Sequence, residues 1–177
     1  MEEENENLPA TSQQSLSSTS APNELLFSSR RALNEGFLTL IISNVWSLDH
    51  EVESPKQDVF GLEWFLSAKM EEQVCGTEVG NQDCCTKYLG LHLYCGKATR
   101  FSCWSCTAIF QLTLKHRNEQ LNYVKTHKYN FSQQRTEYSV PTFIKMEDLA
   151  NLNKGYTENG KVSIEAHIVV KKVKGTR

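Results

Sequence analysis

Two of the six cysteines have a spacing that occurs in both redox proteins and zinc sites: Cys103 and Cys106 form a C-x-x-C motif. A redox pair of this kind lowers its thiol pKa at a helix N-terminus, whereas these residues lead into a predicted strand. A structural zinc site needs four ligands, and Cys75, Cys84 and Cys85 lie in a predicted loop without a second such motif. We therefore expect no metal and no cofactor. The alternative interpretation is a zinc or redox-sensing protein that uses Cys103, Cys106, Cys84 and Cys85.

The histidines, serines and glycines form no catalytic signature. The sequence contains no H-E-x-x-H, no G-x-S-x-G and no glycine-rich phosphate loop. A catalytic triad is defined by geometry and can assemble from distant residues, but no feature of this sequence favours one. We expect a protein that is not an enzyme. The five histidines are scattered along the chain: His50, His92, His116, His127 and His167.

Charge and hydropathy argue against two classes of partner. The formal net charge of the 177 residues is -2, and the first thirty residues hold five acids and one base, so the remainder is nearly balanced. That balance lacks the basic surface that nucleic-acid binding requires. The acidic N-terminal sequence is the opposite of a signal peptide, and no segment approaches the roughly 18 apolar residues of a membrane span. We expect no nucleic-acid or membrane partner, a cytoplasmic or nuclear location, and reduced cysteines.

The chain divides into a polar tail and one folded domain. Residues 1–29 are acidic and serine-rich with little apolar surface to bury, so we expect this tail to be disordered. From Gly36 onwards, short β-branched, leucine-rich and aromatic runs alternate with turn residues, which is typical of an all-β sandwich. The clearest strand covers 162–171, where alternate residues from Val162 to Val170 are apolar, and Asn159-Gly160 predicts the turn before it.

Other strands are predicted from the same alternation. In the strand at 88–95, four residues from Leu89 to Cys95 fall on the core face, and Tyr88 and His92 fall on the other face with Tyr94. Trp64 lies an even number of residues from its apolar neighbours, which places them on the same face of the predicted strand, and it is expected in the core. Pro141 indicates an edge strand. The predicted strands are 37–43, 62–70, 88–95, 106–115, 124–131 and 138–144, with a long mobile loop at 71–87 and a helical turn at 146–153.

Several short motifs recur along the predicted domain in a distinctive order and spacing. They are Leu62-Glu-Trp64-Phe-Leu66, Tyr88-Leu-Gly-Leu-His92-Leu, Trp104 followed by Phe110-Gln-Leu-Thr-Leu114, Phe143-Ile, Gly155-Tyr156 and Val162-Ser-Ile-Glu-Ala166-His-Ile168. Together they resemble the MATH (meprin and TRAF homology) domain, and most closely its divergent nematode members. The similarity covers Gly36 to about Val173, and a MATH-like domain is expected at 36–174. The Trp-Gly usual before a late Phe is replaced here by Tyr138-Ser139.

The resemblance implies an antiparallel β-sandwich of about eight strands that binds short linear peptides of partner proteins across one sheet face. The positions that match the family's aromatic groove hold a histidine at 92, a tyrosine at 138 and a valine at 140 in place of an aromatic, a tryptophan and a phenylalanine. Phe110 shares the parity of Leu112 and Leu114, which favours the core unless a bulge redirects it. The expected peptide-binding residues are Tyr88, His92, Phe110, Tyr129, Tyr138 and Val140.

The resemblance also bears on assembly. No coiled coil precedes the domain, so we expect a monomer rather than the trimer of the TRAF members. We expect no BTB domain, the module by which some members recruit a cullin ubiquitin ligase, after Arg177. Adaptor work in a ubiquitin-ligase pathway would therefore require a partner. A decayed MATH domain that no longer binds peptide is a further alternative.

Overall fold

The computed structural model of the protein describes residues 34–74, 85–96 and 103–176. Within these ranges, segments of alternating apolar residues form nine β-strands. One short helix, α1 (Met146–Ala150), and three single 3-10 turns, Val45–Ser47, Glu119–Leu121 and Leu152–Lys154, connect them. The strands are β1 (Glu35–Ile42), β2 (Val52–Glu53), β3 (Gln57–Val59), β4 (Leu62–Val74), β5 (Cys85–Cys95), β6 (Cys103–Leu114), β7 (Tyr123–Ser132), β8 (Glu137–Lys145) and β9 (Val162–Thr176).

The strands form two antiparallel sheets. The first has the order β1-β9-β6-β7, and the second has the order β2-β4-β5-β8 with β3 also paired to β4. The order places β7 and β8 at one edge of their respective sheets, while β1 and the short strands β2 and β3 lie at the other edges. This architecture confirms the predicted all-β antiparallel sandwich.

The core lies between the sheets and follows the alternation of the sequence. In β9 the alternate residues from Val162 to Val170 are buried, and in β5 those from Leu89 to Cys95 are buried as well. Burying each such aliphatic side chain contributes about 1.5–3 kcal/mol. Trp64 is 0% exposed, so its predicted core position is confirmed. Its ring meets that of Phe131 edge-to-face at 5.0 Å, and its Nε1 donates to the Val59 carbonyl at 3.3 Å.

The prediction of a long loop at 71–87 is wrong at both ends of this range. Strand β4 continues to Val74 and β5 begins at Cys85, because the two strands remain paired as far as these two residues. Cross-strand backbone pairing outweighs the weak strand propensity of the glutamates here, and Lys87 Nζ lies 3.5 Å from Glu72 Oε1. Residues 75–84 lie outside the described ranges.

The predicted turns are confirmed. Helix α1 and the 3-10 turn Leu152–Lys154 occupy the predicted helical segment, which ends at Gly155 with a left-handed φ of 72°. Asn159 and Gly160 also have positive φ, at 51° and 77°, as the turn before β9 requires. The expected tail at 1–29 lies outside the described residues. None of the described helices has the length and apolar character needed to span a bilayer.

Replacing Trp64 with alanine should lower the free energy of unfolding by about 3–5 kcal/mol, because it leaves a cavity between the sheets. Urea denaturation measures the change. The matched control is Phe60→Ala, which truncates a ring that is half exposed beside the β3–β4 turn. An equal loss of stability in both variants would show that burial of Trp64 between the sheets is not what stabilises the domain.

Candidate functional site at the β7 and β8 edge

Strand β7 presents a stripe of polar and aromatic side chains towards β8. Its residues alternate in burial, with Val124, Thr126, Lys128 and Asn130 exposed on the outer face of the sheet. The inner face of β7 carries the stripe. Its aromatic rings and its lysine ammonium contact β8 or the part of the core next to β8. The stripe consists of Tyr123, Lys125, His127, Tyr129 and Phe131.

Tyr138 of β8 is the centre of a group of rings. Its ring centroid lies 5.0 Å from those of both Tyr129 and His127 and 5.2 Å from that of Phe110. Its hydroxyl lies 3.0 Å from His127 Nδ1. Tyr129, Tyr138 and Val140 are half-buried against the core. We call His127, Tyr129, Tyr138 and Val140 the edge cluster; it is an apolar surface with polar tips, open at the margin of the sandwich.

An irregularity in β8 determines which side chains reach this surface. Leu91 pairs with Val140 whereas Leu89 pairs with Ile144, so the three residues from Pro141 to Phe143 stand opposite Gly90 alone. Because of the extra residues in β8, the side chain of Phe143 points into the core again, where it is fully buried. Tyr138, Val140 and Phe143 therefore all lie on the inner side of β8 although their spacing is uneven.

Lys125 of β7 bridges the gap between the edge strands β7 and β8 at one end; we call this gap the seam. Its Nζ lies 3.2 Å from the carbonyl oxygen of Phe143 and 3.4 Å from that of Thr142, and it donates to both. The same ammonium lies 5.5 Å from the centroid of the Tyr123 ring and 5.4 Å from that of the Phe143 ring. The edge of β8 is thus occupied near Thr142 and remains open from Glu137 to Val140.

His127 is the titratable group within the edge cluster. Burial, and secondarily the positive charge of Lys125, lowers the pKa of His127 below the ordinary histidine value. The Tyr138 hydroxyl and Nδ1 of the neutral ring share a hydrogen bond whose direction depends on the tautomer, and Nε2 is buried without a hydrogen-bond partner among the described residues. The arrangement therefore favours an uncharged cluster at neutral pH, compatible with apolar side chains of a ligand.

The structure brings together three of the six expected peptide-binding residues, Tyr129, Tyr138 and Val140. Phe110 is 1% exposed and forms the floor beneath Tyr138, so the core position favoured by its alternation is correct and its expected role as a surface contact of the peptide is not. The nearby pairing irregularity adds a residue to β9, between Val170 and Lys172, and leaves the alternation of β6 unchanged. His127 and Lys125 also belong to this part of the structure and were not predicted as site residues from the sequence. Their shared parity with Tyr129 along β7 was the signal that would have found them.

His92 lies away from the edge cluster, on the opposite face of the same sheet. Tyr88 is also outside the edge cluster, and it lines a cavity with Tyr123 and Phe143 at the other end of β8. The predicted non-core face of His92 is confirmed, but the expected exposure is wrong, since His92 is only 4% exposed. Its Nδ1 lies 2.7 Å from Glu137 Oε1 and 2.6 Å from Ser139 Oγ, and its Nε2 lies 3.3 Å from Glu71 Oε1. The side chain of His92 thus links β8 to β5 and β4 on the face of the sheet opposite the edge cluster.

The cysteines of the C-x-x-C motif point apart. Cys103 is exposed, whereas Cys106 is buried with its Sγ 3.9 Å from that of Cys95 on the other sheet. Residues three apart on a strand lie on opposite faces, so this pair cannot converge on one ligand. Burial raises the pKa of the Cys95 thiol far above its usual range. In the described ranges no group of three His, Cys, Asp or Glu side chains is placed to hold a metal. Cys84, a member of the alternative set, lies outside them.

Comparison with known proteins decides the family. The sequence model of the MATH domain matches residues 42–170, nearly three quarters of the chain. The chain belongs to the MATH domain family. MATH domains are protein-interaction domains rather than catalytic ones, so this chain is a protein-interaction module.

Two relatives show the breadth of this MATH similarity. BTB and MATH domain-containing protein 38 of Caenorhabditis elegans is 31% identical over 151 residues, which cover 84% of this chain and 36% of that protein. Ubiquitin carboxyl-terminal hydrolase 7 of Drosophila melanogaster is 30% identical over 83 residues, which cover 46% of this chain and 7% of that protein. The chain thus spans about a third or less of these relatives. The nematode relative agrees with the nematode-type resemblance.

Lowering the pH from about 7 to about 5 should reduce stability in part through His127. Its pKa is lower in the fold than the roughly 6.5 of an unfolded chain, so the unfolded state takes up the proton first. The His127→Gln variant keeps an acceptor for the Tyr138 hydroxyl without titrating, and it should lose less stability over the same range. Denaturant titrations of both proteins at each pH measure this. Identical losses would contradict the assignment.

Proposed function

We propose that this MATH domain binds a short extended peptide of a partner protein along the open edge of β8. The observation that carries the proposal is the edge cluster, half-exposed rings beside an edge strand. Among the described strands β8 pairs only with β5, so its other side is available to a further strand. Recognition by strand addition uses main-chain hydrogen bonds for affinity and side-chain pockets for specificity.

The geometry limits how such a peptide lies. Pro141 has no N–H to donate, and Lys125 already occupies the carbonyls of Thr142 and Phe143. Strand addition is therefore confined to Glu137–Val140. Peptide side chains on one face recur about every 7 Å, twice the strand rise per residue, so one or two of them would contact the edge cluster. The low charge of that cluster favours apolar side chains there.

Replacing Tyr129 or Tyr138 with alanine should weaken peptide binding by about 1–2 kcal/mol each and leave the fold intact, as expected for partly exposed aromatic contacts. The ligand is selected on the full chain from a phage-displayed library of random peptides of about 16 residues, long enough to pass the whole of β8. Calorimetry with the selected peptide measures affinity.

The matched control is Phe37→Ala, because Phe37 is an aromatic that is 57% exposed on β1, at the opposite edge of its sheet from β7. Unchanged affinity in both tyrosine variants would place the peptide elsewhere on the sandwich. Failure to select any peptide would support the alternative of a decayed domain.

We also propose that the bound protein is delivered to ubiquitin-modifying enzymes through a partner of this chain. The support is that one relative is named for BTB and MATH domains together and another is a ubiquitin hydrolase. Affinity purification of the chain from cells, followed by mass spectrometry, should recover ubiquitin-ligase or ubiquitin-hydrolase subunits. Recovery of neither class, with partner proteins still captured, would remove this extension and leave peptide binding standing.

A further inference from the structure

We propose that a cavity at the far end of β8 is a second pocket for the same peptide and that it accepts one large apolar or aromatic side chain. This inference rests on the proposed function. The cavity has a volume of about 310 Å³ and is lined by Tyr88, Tyr123 and Tyr156 together with the Phe143 and Ile144 end of β8. We call it the tyrosine pocket. Its volume is at the lower end of the range of small-ligand sites, which suits a single side chain.

Three tyrosines from three separate segments meet in this pocket. Tyr88 belongs to β5, Tyr123 begins β7, and Tyr156 follows the 3-10 turn before β9. All three are half-buried. Partly exposed tyrosines that combine an apolar ring with a polar hydroxyl are a frequent feature of protein-binding surfaces.

Neighbouring side chains hold two of these rings in place before any ligand binds. The Tyr123 ring meets the Phe143 ring edge-to-face at 5.4 Å and lies beneath the Lys125 ammonium at 5.5 Å. The Tyr156 ring meets the His116 ring edge-to-face at 5.2 Å. A pocket whose walls are already ordered loses little side-chain entropy when a ligand enters.

The charges at the rim argue for an uncharged occupant. Lys145 Nζ lies 3.2 Å from Glu147 Oε1, and Lys154 Nζ lies 3.6 Å from Asp148 Oδ1. Both lysines that line the pocket therefore already have an acidic partner. The other nearby ammonium, that of Lys125, donates to two carbonyls of β8 and lies over the Tyr123 ring. Apolar area is what remains to be buried, and a side chain of the size of leucine, phenylalanine or tyrosine would bury it.

The tyrosine pocket lies on the path of the proposed peptide. Thr142, Phe143, Ile144 and Lys145 line it, and all four belong to β8 beyond the open edge. Tyr138 and Ile144 stand opposite Leu93 and Leu89 of β5, so they are only about 14 Å apart along the sheet at about 3.4 Å per residue. Between the two pockets Lys125 interrupts strand addition, so the peptide would pass over this part of the edge. The structure thus favours a motif with two apolar anchors separated by about four residues of extended chain.

The experiment uses the peptide selected on the full chain from the library of about 16 residues, and two versions of it shortened from either end. Tyr88→Ala removes one wall of the tyrosine pocket, and Thr142→Trp fills the pocket from an exposed position without removing core contacts. Each variant should weaken the full peptide by about tenfold. One shortened peptide should bind the unaltered protein more weakly and be insensitive to both variants.

Several controls separate this inference from the proposed function. Phe37→Ala should leave the affinity of every peptide within about twofold, and thermal melting checks that each variant is folded. If Tyr138→Ala weakens the full peptide while Tyr88→Ala and Thr142→Trp do not, the second pocket is overturned and the edge site stands. If Tyr138→Ala has no effect, or no peptide is selected, the proposed function fails and the second pocket fails with it.

Discussion

Neither sheet of the sandwich closes on the other, so β7 and β8 face each other as two edges across an open seam. Among the described strands β7 pairs only with β6 and β8 only with β5. Side chains must therefore cover the core there. The rings of Tyr129, Tyr138 and His127 and the ammonium of Lys125 do so. A cover made of side chains is incomplete, and it leaves half-exposed rings beside an unpaired strand edge, the combination that peptide recognition by strand addition requires.

The two faces of β8 make different contacts. On the inner face Tyr138 and Val140 belong to the edge cluster, while on the outer face Glu137 and Ser139 contact the buried ring of His92. An edge strand with one neighbour is held by half the hydrogen bonds of a central strand, and these polar contacts compensate for that. The irregular pairing at Pro141 then redirects the chain so that Phe143 returns to the core. The exposed rings can thus be presented on a firmly held strand.

Of the cysteines in the described part of the chain, Cys95 and Cys106 are buried, and Cys85 and Cys103 are exposed. Cys95 and Cys106 meet in the core from opposite sheets, where burial disfavours the Cys95 thiolate, the form that metal binding or disulfide exchange needs. Cys103 faces outwards from the same strand as Cys106. The C-x-x-C spacing has redox or metal chemistry only where the backbone turns the two side chains towards each other, and a strand does not.

The sequence by itself determined the fold class, the family and the face on which most residues lie, because alternation in a strand assigns side chains to faces without reference to distant parts of the chain. Trp64, the leucines of β5 and the terminal strand were predicted on this basis, and so was the outer face of His92. The tertiary structure decided what covers each face. His92 is on its predicted face yet buried, since Glu71 and Glu137 from two neighbouring strands enclose it. His92 and Tyr138 were expected in one groove, but the sheet separates them. Strand order, the extra residues in β8 and the meeting of two edges depend on contacts between segments far apart in sequence, which local periodicity does not encode.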